Sequence, residues 1–383
     1  MGFFSKNEST DLKEFSNLDI AEKQIVFYSE DKNSTIIFES FIDELIKNYD
    51  VSICYVTSSK EELDIISKNK KIKAFYVGEG VARTKFFLEL QANILIMTMP
   101  DLEAFHIKRS KMHNVHYIYM FHSMISTHLG YRKEAFDYFD SIFCVGNYQI
   151  NEIKEAEKLY NLKAKKLVQF GYTHLDNLLK IHSKNTDITL KQKDSYQIII
   201  APSWGKDGLF ETVSEKIINI LLNSGYKVIL RIHPMTQKKS KKKVEHILKT
   251  FSKNSNFFLE QNISYFDSFL QSDIMISDWS GVALEFAFGF EKPVMYIDTP
   301  KKMRNPNFKD ISQIPIEESI RNKIGIIVPT TELETIPKKI EEIYTNQESI
   351  KNQIRNNRDE TVFNIGKSVI VGTEYIIKLL KKK

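Results

Sequence analysis

Polar side chains follow an apolar stretch at residues 276–285, where the chain reads ISDWSGVALE. Ser277, Asp278 and Ser280 stand between a predicted buried strand and a predicted apolar helix. The first turn of a helix has unpaired N–H groups and a partial positive charge, which together favour a phosphate group. Gly281 has no side chain and lets a ligand approach the backbone closely. This stretch therefore predicts a binding site for a phosphorylated ligand.

Glu285 adds a second functional group, because it is the only acidic residue from Gly281 to Phe290. A carboxylate at this position suits the hydroxyl groups of a ribose, which can donate hydrogen bonds to it. The alternative is structural: Asp278 or Ser280 caps the helix by accepting a hydrogen bond from its first turn. The lone acid favours the nucleotide hypothesis, since a structural acid more often faces open solvent.

A second constellation lies at residues 226–234, where YKVILRIHP reads as a strand that ends in polar residues. Alternation along a strand places Arg231 and His233 on the same side. Such a pair at a strand end predicts a clamp for the pyrophosphate of a donor, with Ser203 at the end of another predicted strand. The alternative is an arginine at the edge of the sheet and a histidine bonded to a neighbouring carbonyl.

The first half of the chain supplies a candidate proton acceptor, His122, after the apolar run HYIYMF. An imidazole accepts a proton from an alcohol near neutral pH, which is the task of a base in transfer to a hydroxyl group. Other polar residues near the strand ends form a candidate acceptor side: Ser123, His128, Tyr172, His174 and Asp176. The sequence shows no Asp-x-Asp motif and no His/Cys cluster, so neither a metal nor another cofactor is predicted.

Predicted strands and helices alternate along nearly the whole chain. Short, apolar, β-rich runs are typical of strands that are buried on both faces of a parallel sheet. The predicted strands lie at 23–29, 51–58, 72–78, 92–100, 115–123, 140–146, 166–172, 196–204, 226–234, 256–261, 273–280 and 293–298. With helices between them, the pattern predicts an α/β fold with open sheets.

A polar stretch at residues 180–195 interrupts this alternation and is interpreted as a linker. We expect residues 1–182 to form an N-terminal acceptor domain and 195–360 a C-terminal nucleotide-donor domain. Residues 361–383 are expected to form a C-terminal helix that packs back toward the first domain, within a largely helical final segment at about 331–381. The predicted architecture is GT-B-like, with two Rossmann-like parallel-sheet domains facing a cleft.

Composition excludes a wholly disordered chain, because 42% of the 383 residues are hydrophobic and 12% are aromatic. The net charge of +5 is mild, but lysines cluster at 238–243 and in the final three residues. Such clusters are usually solvated, and the alternative is a face that docks on an anionic membrane. Two cysteines in apolar runs, no long apolar span and no signal-peptide pattern predict a cytoplasmic protein, with docking on the inner face of the membrane as a further hypothesis.

On these motifs the sequence resembles the CDP-glycerol glycerophosphotransferase family, the teichoic-acid glycerol-phosphate and ribitol-phosphate transferases. The matching segments, in order, are FHS (121–123), GYTHLD (171–176), IAPSW (200–204), RIHP (231–234), SDWSGVALE (277–285) and PVMY (293–296). The sequence departs from the family patterns at several positions. Phe121 and Ser123 replace the Trp and Gly that flank the histidine, Thr173 and His174 replace Pro-Arg, and Gly281 replaces a serine.

The resemblance implies a transferase of cell-envelope biosynthesis, of the kind that makes teichoic acid or capsule polysaccharide. It would move a polyol phosphate from CDP-glycerol, or from CDP-ribitol, to a hydroxyl of a cell-surface glycan or a lipid-linked acceptor. His122 matches the general base, and Arg231 with His233 matches the groups that hold and neutralise the pyrophosphate, so His122 and His233 are the expected catalytic residues. The donor set is completed by Ser203, Ser277, Asp278, Ser280, Gly281 and Glu285. An acceptor hydroxyl would attack the β-phosphorus and release CMP; no nucleic acid partner is implied.

Two other classes of function remain open. A GT-B glycosyltransferase with a nucleotide-sugar donor and a UDP-sugar 2-epimerase share the expected fold and a donor acid in the second half. A non-enzymatic carbohydrate-binding protein gains support only from the altered motifs in the first half. The glycosyltransferase and the epimerase can be distinguished from the CDP-polyol transferase by the nucleotide that binds, which is cytidine or uridine.

Overall fold

The computed structural model describes residues 8–31, 33–185, 196–260 and 266–382. The chain divides into two compact units. Each unit consists of more than one segment of the sequence, so the division is not a single cut at one linker. Unit 1 comprises Met1–His122, Tyr131–His174 and Val362–Lys383, and unit 2 comprises Ser123–Gly130 and Leu175–Thr361. A short segment of the first half, Ser123–Gly130, is therefore part of unit 2.

Unit 1 contains a parallel sheet of seven strands in the order β3-β2-β1-β4-β5-β6-β7. The strands are β1 Ile25–Ser29, β2 Ile53–Thr57, β3 Ile72–Tyr76, β4 Ile94–Met97, β5 His116–Met120, β6 Ser141–Cys144 and β7 Lys166–Gln169. The central strands are buried along their whole length, because helices cover both faces of a doubly wound sheet.

The helices of unit 1 connect these strands, and the last of them comes from the end of the chain. They are α1 Glu8–Ser16, α2 Asn33–Asn48, α3 Lys60–Ile66, α4 Val81–Glu89, α6 Asn147–Leu159 and α18 Ser368–Leu380, with a 3-10 helix at Ile20–Glu22. Helix α18 packs on α2. The Tyr375 hydroxyl lies 2.7 Å from Ser141 Oγ, which ties this helix to strand β6.

Unit 2 contains a parallel sheet of six strands in the order β10-β9-β8-β11-β12-β13. The strands are β8 Gln197–Ile200, β9 Lys227–Arg231, β10 Phe257–Glu260, β11 Ile274–Ser277, β12 Val294–Asp298 and β13 Gly325–Pro329. One hydrophobic core, which includes Ile198, Leu230 and Ile276, joins these strands to the helices that cover them.

The helices of unit 2 range in length from four residues in α5 to 15 in α17. They are α5 Thr127–Gly130, α8 Leu209–Thr212, α9 Ser214–Asn223, α10 Pro234–Lys239, α11 Lys241–Phe251, α12 Asp267–Gln271, α13 Val282–Phe290, α14 Ile316–Ser319, α15 Arg321–Ile324, α16 Ile336–Thr345 and α17 Gln347–Thr361, with 3-10 helices at Phe308–Asp310 and Leu333–Thr335. Helix α7, Thr173–Lys184, begins in unit 1 and continues into unit 2.

The structure confirms the α/β class and each of the twelve predicted strands. Strand β13 was not predicted. The stretch interpreted as a linker is helical in α7 as far as Lys184, and residues 186–195 of it lie outside the described residues. The final segment contains α16, α17 and α18, as its helical pattern predicts. No helix in the described part of the chain is long and apolar enough to cross a membrane.

Candidate functional site

Asp278 joins the ends of two strands in unit 2. It follows β11 directly, is 1% exposed, and accepts the backbone N–H of Ser203 on Oδ1 at 2.7 Å. Its Oδ2 accepts the Ser203 hydroxyl at 3.1 Å and the Leu209 N–H at 2.9 Å. The carboxylate thus holds the loop after β8 and the first residue of α8. All three of these hydrogen bonds join Asp278 to other residues of unit 2.

The residues on either side of Asp278 connect strand β11 to the start of helix α13. Ser277 donates its hydroxyl to the Ala201 carbonyl at 2.7 Å, so its polar group is satisfied inside the unit. Helix α13 begins after Gly281, and no side chain makes the capping hydrogen bond. The alternative in which Asp278 or Ser280 caps this helix is therefore wrong. Ser280 and Glu285 are both partly exposed near its first turn.

Arg231 ends strand β9 with its charge balanced by an acid. Its Nη1 lies 2.7 Å from Glu260 Oε2, and the guanidinium lies 4.6 Å from the centre of the Phe269 ring. The two residues of the ion pair are Cα partners in neighbouring strands. This pairing gives Arg231 a structural role, and its contact with a donor pyrophosphate stays a prediction.

His233 is the N-cap residue of α10, because its Nδ1 accepts the Met235 N–H at 3.0 Å. Nε2 is consequently the ring nitrogen that carries hydrogen in the neutral ring. Burial, with smaller effects from Lys302 and Arg304, lowers the pKa of His233 to about 4. His233 is thus a neutral hydrogen-bond donor near pH 7.

Three cationic side chains surround the indole ring of Trp204, which the sequence motifs did not single out as a ligand-binding residue. Lys302 Nζ lies 4.5 Å, Lys239 Nζ 4.8 Å and Arg304 Cζ 5.6 Å from the ring centre. The His233 ring centre is 6.2 Å away. We call these five residues the Trp204 cluster. In the part of the chain that the structure describes, none of the three cations forms an ion pair.

The lowered pKa of Lys302 shows that the charged form of this lysine is disfavoured in the Trp204 cluster. Burial lowers the pKa of its ammonium group to about 8, Arg304 adds to this shift, and the Asp278 carboxylate opposes it. An anion bound among the three cations would stabilise the charged form of Lys302. The residues come from the ends of β8 and β9 and from the segment after β12, the edge at which open α/β sheets bind ligands.

His122 lies in unit 1, after β5, with an exposed side chain. Its Nδ1 is 3.2 Å from the Thr98 carbonyl oxygen, a contact that requires Nδ1 to donate. In this tautomer Nε2 has the lone pair that accepts a proton. The Tyr172 hydroxyl donates to the His122 carbonyl at 2.8 Å and holds the backbone. The geometry therefore suits a positioned general base.

The candidate acceptor residues do not gather in one unit. Tyr172 and His174 are buried in unit 1, whereas Ser123, His128 and Asp176 belong to unit 2. The His128 Nδ1 lies 2.9 Å from Ser126 Oγ inside the short segment that contains α5. Tyr172 supports the backbone of His122, and the role of the others toward an acceptor stays a prediction. Among the described residues, no three His, Cys, Asp or Glu side chains come together in a way that could hold a metal ion.

Asp278→Asn is expected to lower the free energy of unfolding by roughly 1–3 kcal/mol, because an amide NH₂ would face a backbone N–H inside the protein. Chemical denaturation of the purified protein measures this change. The matched control is Ser203→Ala, which removes one of the hydrogen bonds and is expected to cost about 1 kcal/mol. An Asn variant as stable as the wild type would contradict the role of Asp278 as the anchor of this edge.

Comparison with solved structures places this fold among known enzymes. Two structures of the wall teichoic acid polymerase TagF, from crystals soaked with CDPG, match with TM-scores of 0.60 and 0.63 at 15% identity, over 98% of this chain and 94% of that chain. The UDP-GlcNAc 2-epimerases of Neisseria meningitidis and Methanocaldococcus jannaschii match with a TM-score of 0.56 at 13% and 15% identity, over 94% of this chain and 100% of theirs. At these identities the matches show the GT-B-like fold.

The sequence itself identifies the family. A search of curated proteins finds no match. A model of the CDP-glycerol:poly(glycerophosphate) glycerophosphotransferase family matches residues 12–302, about three quarters of the chain. This range includes every residue of the donor set, the proposed base His122, and Trp204, Lys239 and Lys302. The chain belongs to the CDP-glycerol:poly(glycerophosphate) glycerophosphotransferase family, and it is an enzyme of that kind.

Proposed function

We propose that the protein transfers glycerol phosphate from CDP-glycerol to a hydroxyl group of a cell-surface glycan or lipid-linked acceptor and releases CMP. The observation that carries this proposal is the Trp204 cluster, in which three cations that form no ion pair within the described ranges surround one aromatic ring. A diphosphate brings the negative charge that this arrangement lacks, and it accepts charge-assisted hydrogen bonds from lysine and arginine.

On the donor side, Lys239, Lys302 and Arg304 bind the diphosphate and neutralise the charge that develops as CMP leaves. Positioning and charge neutralisation do most of the work in phosphoryl transfer. His233 donates a hydrogen bond through Nε2–H, since its ring is neutral near pH 7. The first turn of α13 receives a further phosphate oxygen, and Glu285 accepts hydrogen bonds from the ribose.

On the acceptor side, His122 removes the proton of the acceptor hydroxyl through Nε2. The hydroxyl oxygen forms a bond to the β-phosphorus, and the bond from that phosphorus to the bridging oxygen breaks. The electron pair of this bond leaves with CMP, and the proton stays on His122 until solvent takes it. The hydrogen bond between Nδ1 and the Thr98 carbonyl stabilises the imidazolium ion that forms.

Nucleotide selectivity tests this proposal without knowledge of the acceptor. CDP and CDP-glycerol are expected to raise the melting temperature of the purified protein, because a ligand that binds only the native state stabilises it. UDP and UDP-GlcNAc should give smaller shifts at the same concentration. A preference for the uridine nucleotides would favour a nucleotide-sugar enzyme instead, and CDP-ribitol in the same panel compares the two polyols.

Melting temperatures with CDP-glycerol and the rate of CMP release together separate donor binding from the chemical step. His122→Ala is expected to keep the stabilisation by CDP-glycerol, while CMP release in the presence of a lipid-linked glycerol phosphate acceptor falls by about 10²–10⁴-fold. An unchanged rate of CMP release in this variant would remove His122 from the mechanism.

The pKa of Lys302 predicts how CDP affinity depends on pH. The ligand binds the protonated form, and the pKa in the free protein is about 8. Affinity should therefore be constant below this pH and should fall above it, by up to about tenfold per pH unit. Lys302→Arg keeps its charge and is expected to flatten the profile, as measured by calorimetry from pH 7 to 9.5. A wild-type profile that stays flat to pH 9.5 would contradict a role for Lys302 in binding.

In the lysine run at 238–243, two lysines contact aromatic rings and the others are exposed. Lys239 faces Trp204 in the Trp204 cluster, and Lys243 donates to the Glu211 carbonyl and lies near the Phe210 ring. Lys239 is itself exposed, and so are Lys238, Lys241 and Lys242 and, near the end of the chain, Lys381 and Lys382. Lys383 lies outside the described residues. We infer that the exposed lysines help the protein to dock on the anionic inner face of the cell membrane.

Replacement of Lys238, Lys241 and Lys242 by Gln is expected to weaken binding to anionic vesicles by roughly 10²-fold at low salt, since each lysine near the surface contributes about 1 kcal/mol. Sedimentation with phosphatidylglycerol vesicles measures the change. Lys239→Gln is the matched control, because it should reduce CDP affinity more than vesicle binding. If the binding of the wild-type protein to these vesicles did not depend on salt concentration, this docking surface would be contradicted.

A further inference from the structure

The C-terminal segment at residues 362–368 contacts the loop that follows strand β7 in unit 1. The Ser368 hydroxyl belongs to a fully buried residue and accepts the backbone N–H of Tyr172 at 3.1 Å. The Asn364 side-chain amide donates to the Gln169 carbonyl, at the end of β7, at 2.6 Å. The end of the chain therefore fixes the loop after β7 by hydrogen bonds to its backbone.

Gly171, in this loop, shows how closely the two segments approach each other. Its φ of +103° lies in the region that favours glycine. A Cβ atom at position 171 would lie 2.5 Å from Ser368 Oγ and would collide with the Phe363 carbonyl oxygen. Space and backbone conformation therefore both require glycine here, and the position of the loop depends on the C-terminal segment.

Tyr172 extends this contact to the proposed base. Its side chain is 1% exposed, and its hydroxyl donates to the His122 carbonyl at 2.8 Å. The His122 ring is held separately, since its Nδ1 donates to the Thr98 carbonyl at 3.2 Å. Two hydrogen bonds, made by the backbone and the hydroxyl of one buried tyrosine, thus connect Ser368 with the backbone of His122.

A general base must be placed accurately, because it acts only within about 2.6–3.2 Å of the proton that it removes. A displacement of about 1 Å can lower the rate by about 10²-fold. His122 has an exposed side chain and lies in the loop after β5, so its position depends on contacts outside that strand. The hydrogen bond from Tyr172 is such a contact.

We propose that Tyr172 and Ser368 are positioning residues for the transfer reaction: Ser368 fixes Tyr172, and Tyr172 holds His122 where Nε2 reaches the acceptor hydroxyl. This inference rests on the proposed function, because it takes His122 to be the general base. It gives Tyr172 a different role from the contact with the acceptor that the sequence predicts. It also gives a role to Ser368, which lies beyond residues 12–302 that the family model matches.

Removal of single hydroxyl groups tests the positioning. Tyr172→Phe is expected to lower the rate of CMP release by about 10–10²-fold, while the stabilisation by CDP-glycerol stays unchanged. Ser368→Ala acts one step further from the base and is expected to lower the rate by about tenfold. The rate is measured with CDP-glycerol and a lipid-linked glycerol phosphate acceptor, and donor binding is measured by melting temperature.

Tyr375→Phe is the matched control, because it also removes one hydroxyl from the contacts of helix α18. This hydroxyl lies 2.7 Å from Ser141 Oγ at the start of β6, whereas His122 follows the end of β5. The two positions lie at opposite edges of the parallel sheet. Tyr375→Phe is therefore expected to lower the melting temperature and to leave the rate of CMP release unchanged.

A double-mutant cycle separates positioning from a general effect on the fold. In the His122→Ala background no base remains to be positioned, so Tyr172→Phe should leave the residual rate unchanged. If Tyr172 only supports the fold, the same factor should appear in both backgrounds. Melting temperatures without ligand report folding, and the Tyr172 cycle decides the question even if Ser368→Ala does not fold.

A wild-type rate in Tyr172→Phe, an equal factor in both backgrounds, or equal rate losses in Ser368→Ala and Tyr375→Phe would overturn the positioning. In each of these cases the proposed function stands if the wild-type protein releases CMP from CDP-glycerol. An unchanged rate in His122→Ala would overturn the role of the base, and the positioning with it. Wild-type protein that neither binds CDP nor releases CMP would overturn the proposed function itself.

Discussion

The buried carboxylate of Asp278 makes the hydrogen bonds on which the second unit depends at the edge of its sheet. A buried charge is costly unless hydrogen bonds satisfy it, and here three donors from the loop after β8 and the start of α8 do so. The same charge lies close enough to Lys302 to favour its protonated form. One side chain therefore fixes the backbone next to Trp204 and favours the positive charge of Lys302.

The Trp204 cluster lowers the stability of the free protein at this edge of the sheet. Like charges repel, and burial lowers the pKa of Lys302, so the free protein carries an electrostatic cost at this edge. His233 avoids adding to that cost because it is neutral and still offers an N–H group. Under the proposed function, the diphosphate of the donor would relieve this cost.

Local sequence predicts the strands well and side-chain pairing poorly. Buried parallel strands are continuous apolar runs, and these are visible in the sequence. Strand β13 was missed because it begins with Gly325 and ends with Pro329, residues that usually mark turns, and it tolerates them at the edge of its sheet. The partner of Arg231 could not be predicted, since its pairing with Glu260 depends on the register of β9 and β10. Lys302 and Arg304 follow β12 in a loop with no recognised motif.

The path of the chain through both units has a consequence for synthesis in the cell. Ser126 bonds to Glu317, which is 191 residues later, and unit 1 is completed by helix α18 near the end of the chain. At ribosomal rates of about 5–20 residues per second, the early segment waits roughly 10–40 s for its partner. Contacts of such long range also slow folding, because chain entropy must be lost before they form. Unit 2 cannot finish folding before Thr361 is made, and unit 1 cannot finish before α18 is made, so the earlier parts of the nascent chain are exposed to chaperones and proteases during that time.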